Sequence, residues 1–412
     1  MKQQKSKQCI AKKLRKVSAA FLLLIFILQI MIMKYRFAEK VWIVFFAALL
    51  CLNLGSAQTI SISKLKFINE YEITHNLSFK GTTVGGLSGI DYDKEKQQYY
   101  MISDDRSAVN PARYYTAKIF FTAKKIDSVV FVDVTSFLNA ANKPYPNSKQ
   151  DPAHTPDPEA LRYDPHTKQM FWTSEGERIV NGRDTVLENP SITVIHPDGK
   201  YIDTFPLPDN LKMKATEKGP RQNGTLEGLT FADNYKTLFV NLEEPTYEDG
   251  PRADLQKNGA WIRLFKYDIT TKKNTAQYAY ELDPVAYPTV PENAFKINGI
   301  PDILSIGNNK MLVIERSFST GRLACTIKVF LVDLTDASNI MNTASLKENP
   351  ATHPLVKKLL LNMDDLKIYT DNIEGMTFGP DLPNGHKSLL FIADNNFNPM
   401  EKSQLMLFEV IP

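Results

Sequence analysis

The residues with chemistry to offer are carboxylates and arginines that recur at a nearly constant interval. Ser88, Glu159, Glu227, Asp302 and Glu374 occupy equivalent places in five similar segments, 71, 68, 75 and 72 residues apart. A second polar set follows them: Asp104, Asp105 and Arg106; Glu175, Glu177 and Arg178; Glu243 and Glu244; Glu315 and Arg316; Asp394, Asn395 and Asn396. Carboxylates gathered in one place repel one another unless a positive charge intervenes. A hard cation such as Ca²⁺ takes roughly six to eight oxygen ligands. Asp104, Asp105, Glu175, Glu243, Asp302, Glu315, Asp394 and Asn395 are the candidate ligands. Arg106, Arg178 and Arg316 are the other answer, either pairing with the acids or gripping a phosphate or carboxylate in fork geometry. Together with Glu159, Glu227 and Glu374 they form a candidate catalytic set. A metal beside arginines suits phosphoester chemistry, in which positioning and charge neutralisation dominate. For any one acid the plainer reading is a strand-start residue accepting backbone N–H bonds. The functional reading rests on all of them converging.

What positions them is a repeated pair of strands. Residues 86–93 and 99–106 form the first pair, followed by 158–164 with 170–178, 226–233 with 237–244, 301–306 with 311–317, and 373–378 with 389–396. In an antiparallel hairpin the start of one strand and the end of the next share one end. Both polar sets are therefore expected on one face. Two further strand-like runs follow each of the first four pairs: 113–121 and 127–134, 191–196 and 201–207, 261–269 and 276–282, and 326–334 and 355–361. Four antiparallel strands per repeat make a β-propeller blade. The predicted fold class is thus all-β, a propeller of four-stranded antiparallel blades. The last repeat holds one further strand, 404–411, while 59–68 supplies a spare one, so strands from both termini are expected to close the ring and remove its free edge. Five blades are expected, or six if 134–156 or 205–225 holds another small sheet.

The 412 residues contain 49 Lys+Arg against 46 Asp+Glu, a net charge of +3, and 43% are hydrophobic. These proportions exclude a disordered tail, a collagen and a polytopic membrane protein. Residues 1–57 hold ten of the basic residues and one acid, leaving 39 basic and 45 acidic residues, a net charge of −6, from Gln58 onward. An acidic domain excludes a nucleic-acid backbone as partner. Residues 33–57 read as a secretory signal: a basic start at Lys34 and Arg36, an apolar run at 41–54, and small residues Gly55-Ser56-Ala57. Residues 1–32 then precede the true start, the alternative being an N-terminal anchor at 17–33. The expected mature chain, 58–412, is one domain without a stable membrane span, exported to the periplasm or beyond by a bacterium. With Cys9 and Cys51 removed, Cys325 is its sole thiol, so no disulfide scaffold exists.

Other signals are weaker. Gly85-Gly86-Leu87-Ser88-Gly89 is not a nucleophile elbow, and Ser88 reads as a turn serine. The six histidines show no metal-ligand spacing, and His154 reads as a solvated loop residue. Residues 243–252 form an acidic loop leaving the polar face, either a lid or a solvated excursion.

Gly85-Gly86-Leu87-Ser88-Gly89-Ile90-Asp91-Tyr92-Asp93 with Tyr99-Tyr100-Met101-Ile102-Ser103-Asp104-Asp105-Arg106 closely resembles the opening of the phytase-like domain family, also described as "esterase-like activity of phytase". Asp157-Pro158-Glu159-Ala160-Leu161-Arg162, Ser174-Glu175-Gly176-Glu177-Arg178, Leu226-Glu227-Gly228-Leu229 and Asn372-Ile373-Glu374-Gly375-Met376 continue the resemblance, which runs from about Val84 to about Asn396. It implies a propeller hydrolase of small phosphate or ester substrates. The β-propeller phytases hold Ca²⁺ in an acidic channel, so by analogy the resemblance implies a divalent metal, calcium, as cofactor. The leading expectation is an exported phosphate-ester hydrolase. A calcium-dependent lactonase or carboxylic esterase, and a non-catalytic binding module, are the alternatives.

Overall fold

The computed structural model describes residues 60–182 and 184–412. The segments read above as a signal, or alternatively as an anchor, lie outside the described residues. Five sheets carry the architecture. From the axis outward, the first blade is Gly89–Asp93, Gln98–Ser103, Arg113–Phe121 and Ile126–Ser136. The second is Pro158–Asp164, Gln169–Ser174, Ser191–Ile195 and Tyr201–Thr204, and the third is Leu226–Ala232, Thr237–Leu242, Trp261–Asp268 and Lys273–Glu281. In the fourth, Lys310–Ser319, Thr326–Asp333 and Val356–Asn362 follow an inner strand broken into Lys296–Gly299 and Ile303–Gly307, both paired with Lys310–Ser319. The fifth is Asn372–Phe378, Ser388–Asp394 and Ser403–Ile411, with the N-terminal strand Lys64–Ile73 antiparallel to the last of these.

Neighbouring inner strands pack first to second and so on round to fifth against first, which makes a ring. The segments considered for a sixth blade hold only an isolated Leu138–Pro144 bridge and the 3₁₀ turn Asp209–Leu211, so the count is five.

Burial explains why the strands look as they do. The second strand of a blade is apolar on both faces because a neighbouring blade covers each: Thr237–Leu242 and Ser388–Asp394 are buried throughout. The outer strand Ile126–Ser136 has only one covered side and mixes buried with exposed residues. Apolar clusters fill the wedges between blades. Leu87, Ile90 and Tyr115 of the first pack with Leu390 and Leu405 of the fifth, and Phe171 of the second meets Phe231 of the third, ring centroids 5.0 Å apart. Among the described residues no helix is long and apolar enough to cross a membrane.

Candidate functional site: an acidic cavity on the axis

Three of the inner strands share one irregularity. Pairing to the second strand slips between Pro158 and Leu161, between Leu226 and Leu229, and between Ile373 and Gly375. Each slip is a β-bulge at the repeated glutamate, and a bulge re-aims a side chain out of the sheet's alternation. Glu159, Glu227 and Glu374 accordingly turn into one axial cavity of about 500 Å³. The small residue that follows is a packing requirement. A Cβ on Gly228 would stand 2.6 Å from Asp302 Cα, and one on Gly375 2.9 Å from Gly89 Cα, so adjacent inner strands touch through their backbones here.

The ends of the second strands supply the rest. Asp104, Glu175, Glu243 and Arg316 line the same cavity. One oxygen from each of Asp104, Asp157 and Glu159 lies within 4.8 Å of the others, and so does one from each of Glu159, Glu175 and Glu227. Glu159 belongs to both groups. Glu159 and Glu227 are each 7% exposed, and neither carboxylate has a protein hydrogen-bond donor among the described residues. Glu175 is better served, accepting the Thr225 N–H.

Burial dominates the electrostatics. It pushes Glu159 well above the usual carboxylate range, and Asp104 and Glu227 push further. Glu227 is raised by burial and by Glu175 and Glu243, and Asp104 by burial and by Asp157 and Asp394. Asp157 rises to about 6 as burial outweighs Arg106, and Glu374 to about 7 as burial outweighs Arg316. Asp394, 1% exposed, is raised well above its ordinary value by burial and by Glu374.

Two arginines meet these acids. Arg316 donates to Glu243 and Asn372, and its Nη1 lies 3.0 Å from Glu374 Oε1. Arg106 donates to Glu177, with its Nε 3.6 Å from Asp157. Arg106 Nη2 and Arg316 Nε are buried without an acceptor among the described residues.

Other members of the sequence-derived set are directed elsewhere. Adjacent strand residues point to opposite faces, so from Asp104/Asp105 and from Glu315/Arg316 only one reaches the cavity, and of Asp394, Asn395 and Asn396 only Asn396 lines it. Asp104 does, while Asp105 accepts from the Ala108, Val109 and Asn110 N–H groups and pairs with Arg113 at 2.7 Å. Arg316 does, while Glu315 turns between the third and fourth blades, accepting from Tyr280 of the third and Asn298 of the fourth and pairing with Lys357. Asn395 braces a turn, its Oδ1 accepting from Gly86 N at 3.0 Å and Phe397 N at 3.2 Å. Asp302 is a correction of the repeat alignment. It falls at the break in the fourth inner strand, below the cavity, and pairs with Arg162. Arg178 is another. Gly176, at φ +71°, starts a separate hairpin, Glu177–Asn181 with Asp184–Glu188, and Arg178 there donates to the Lys214 and Thr216 carbonyls.

Of the weaker signals, Ser88 donates to the Glu159 carbonyl at 2.6 Å, and His154, 77% exposed, pairs with Asp151. The 243–252 loop is fixed in place, since Asp249 within it is held by Arg263 through two contacts of 2.6 and 2.8 Å. Sequence reasoning missed Asp157, which stands two residues before Glu159, immediately ahead of the strand Pro158–Asp164. It also missed Asp371, Asn372 and Glu401, lining residues outside the repeated pattern.

The molecule is therefore a five-bladed all-β propeller with a carboxylate-lined cavity at one end of its axis. The chain belongs to the phytase-like family described as "Esterase-like activity of phytase", whose profile matches residues 82–397. No curated protein sequence matches it. Among solved structures it is similar to an endo-arabinase from Bacteroides thetaiotaomicron, with 13% identity, 80% of this chain and 95% of that one covered, and a TM-score of 0.39. It is also similar to a periplasmic gluconolactonase from Pseudomonas aeruginosa, with 10% identity, coverages of 85% and 97%, and a TM-score of 0.35. A putative 6-phosphogluconolactonase from Bacteroides uniformis gives 14% identity, coverages of 77% and 80%, and a TM-score of 0.31.

Proposed function

We propose that this propeller is a metal-assisted hydrolase of phosphate esters. The observation that carries the reading is the pair of buried carboxylates, Glu159 and Glu227, that share a 4.8 Å cluster with Glu175 and have no protein donor among the described residues. Uncompensated carboxylates in a low-dielectric site are costly unless protonated or neutralised by a cation. An all-oxygen donor set suits a hard divalent ion such as Ca²⁺. Asp104, Asp157, Glu159, Glu175 and Glu227 would hold it. When bound, such an ion supplies the positive charge that polarises a phosphoryl group and eases deprotonation of water.

The chain's own residues do the remaining work. Arg316 is clamped between Glu243 and Glu374, so its guanidinium enters the cavity pre-oriented to receive a phosphate oxygen. Glu374 uses Oε1 for Asn372 and Arg316, which leaves Oε2 to carry a proton to a leaving oxygen. Its position near 7 suits that exchange. The backbone-packed inner strands hold the glutamates rigidly around the axis.

Export is part of the proposal. It rests on the basic, apolar and small-residue succession at 33–57 and on the acidic balance of residues 58–412. The test is release of phosphate from phenyl phosphate with Ca²⁺ present. Activity should disappear on chelation and in Glu159→Gln. Hydrolysis of lactones or aryl acetates in its place would transfer the site to carboxylic esters, and binding without turnover would make it a recognition module.

A further inference from the structure

One side of the cavity is mainly apolar. Phe295, Phe318, Leu323 and Met400 line it, and three of them are strongly exposed: Phe295 at 54%, Leu323 at 70% and Met400 at 67%. Large apolar side chains exposed together at the mouth of a polar pocket mark a contact surface rather than ordinary surface scatter. The wall is built into the site. Phe318 lies two residues after Arg316 on the strand Lys310–Ser319, so both point to the same face, about 6.7 Å apart along the strand. Ile297 pairs with Phe318 across the sheet, and the Phe295 and Phe318 rings stand 6.2 Å apart.

The charge inventory narrows what can occupy this space. Among the described lining residues the cations are Arg316 and Arg322. Arg316 is already divided between Glu243 and Glu374. Arg322, at the rim, lies 3.6 Å over the Tyr287 ring, with no carboxylate in pairing distance among the described residues. Against them stand eight carboxylates, those of Asp104, Glu159, Glu175, Glu227, Glu243 and Glu374 with Asp371 and Glu401 nearer the apolar side. A ligand with many phosphates would meet more negative charge than these two cations and one or two metal ions offset. A ligand with one phosphate and one flat apolar group finds a partner for each end.

We propose that the substrate is a monophosphate ester of an aryl group, with the ring against Phe295, Phe318, Leu323 and Met400 and the phosphate toward Arg316, rather than a multiply phosphorylated polyol. This rests on the phosphate-ester reading of the cavity but concerns its apolar side. Ring burial is favourable by itself and does not require turnover.

The experiment compares two non-hydrolysable compounds, phenylphosphonate and methylphosphonate, titrated calorimetrically into the Ca²⁺-loaded protein. Phenylphosphonate should bind at least about fivefold more tightly, the least expected from covering one ring face. In Phe295→Ser/Leu323→Ser, two exposed positions, that ratio should fall to near one. With the wild type, the ratio of kcat/KM for phenyl phosphate over glycerol 2-phosphate should exceed the same ratio in the double variant by about tenfold. Equal affinity for the two phosphonates, or tighter binding of inositol hexakisphosphate than of phenylphosphonate, overturns the inference and assigns the wall to another contact. Absence of turnover with the phenyl preference intact overturns the hydrolase reading alone.

Discussion

Arg162 and Asp302 meet on the propeller axis, where Arg162 Nη2 lies 2.9 and 2.7 Å from the two carboxylate oxygens of Asp302. They come from the second and fourth blades, which are not neighbours. Arg162 also donates to the Ile90 carbonyl of the first blade at 2.7 Å and the Met376 carbonyl of the fifth at 3.3 Å. Asp302 accepts the Met376 N–H at 2.8 Å. One side-chain pair thus ties four blades beneath the acidic cavity. Both side chains are almost fully buried, at 3% and 1% exposure.

Removing one partner should therefore be expensive. Asp302→Asn leaves the guanidinium buried without its counter-charge, and a loss of about 3–5 kcal/mol is expected. Arg162→Met should cost a similar amount. The double change Arg162→Met/Asp302→Leu should recover most of it, because neither member of the pair is left buried alone, while Asp91, raised by burial and held down by Arg162, takes up a proton instead. Urea unfolding followed by tryptophan fluorescence measures all three. Additive losses in the double variant would show that the pair is not acting as a unit.

The cavity acids predict an inverse response to metal. In chelator, Glu227→Gln should melt higher than wild type, because it removes one charge from a repelling cluster. In Ca²⁺ the order should reverse, with affinity lowered at least about tenfold by loss of one carboxylate ligand. Thermal melts in chelator and in millimolar Ca²⁺ give both halves. A wild-type melting temperature indifferent to Ca²⁺ would remove the ion from the site.

Stability of the metal-free protein should fall as pH rises through the near-neutral range. Asp157 moves from an ordinary 3.8 to about 6, and Glu374 from 4.5 to about 7. Between about pH 4 and pH 7 the folded chain holds more of these protons than the unfolded chain. The slope of unfolding free energy with pH is then negative, and it stays negative above 7, because Glu188 is raised to about 8 and Asp104, Glu159 and Glu227 are also raised well above their ordinary values. Glu409 works the other way. Hydrogen bonds from Lys66 and Asn384 hold it at about 2, so its contribution is present above its ordinary 4.5 and lost as pH falls toward 2. In chelator the maximum should lie near pH 4 to 5. In Ca²⁺, which competes with protons for the carboxylates, it should move upward. Melting temperature against pH in the two buffers tests the shift.

The blades were legible because each repeat carries its own hairpin signal, and the spacing of Glu159, Glu227 and Glu374 put them in register. The same spacing misplaced Asp302. The break between Lys296–Gly299 and Ile303–Gly307 inserts backbone into the fourth inner strand, and a repeat count cannot distinguish a residue above that break from one below it. Arg178 failed for a local reason, since Gly176 turns the chain into an extra hairpin before the arginine can face the axis. The choice between Glu315 and Arg316 depended on strand phase, which an adjacent pair of polar residues leaves open. The bulges were visible only as Glu followed by Ala or Gly, a pattern whose reason is the backbone contact of Gly375 with Gly89 in a neighbouring blade.

Arg316 offers the sharpest test of the catalytic reading, because its fork is fully specified. One nitrogen goes to Glu243, another to Asn372 and Glu374. A lysine there keeps the charge but cannot reach both sides in a plane. Arg316→Lys should fold normally and retain Ca²⁺ binding, while kcat/KM for phenyl phosphate falls about 100-fold, the usual cost of losing one oriented donor in a transition state. Arg316→Met should lose more and also weaken the fold, because Glu243 and Glu374 would face each other unpaired. The ratio between the two variants separates the roles. If lysine restores stability relative to methionine and leaves activity at the methionine level, Arg316 acts on the phosphate through its geometry. If lysine restores both together, the residue is a charge bracket for its two glutamates, and the phosphate-binding group must be sought elsewhere in the cavity.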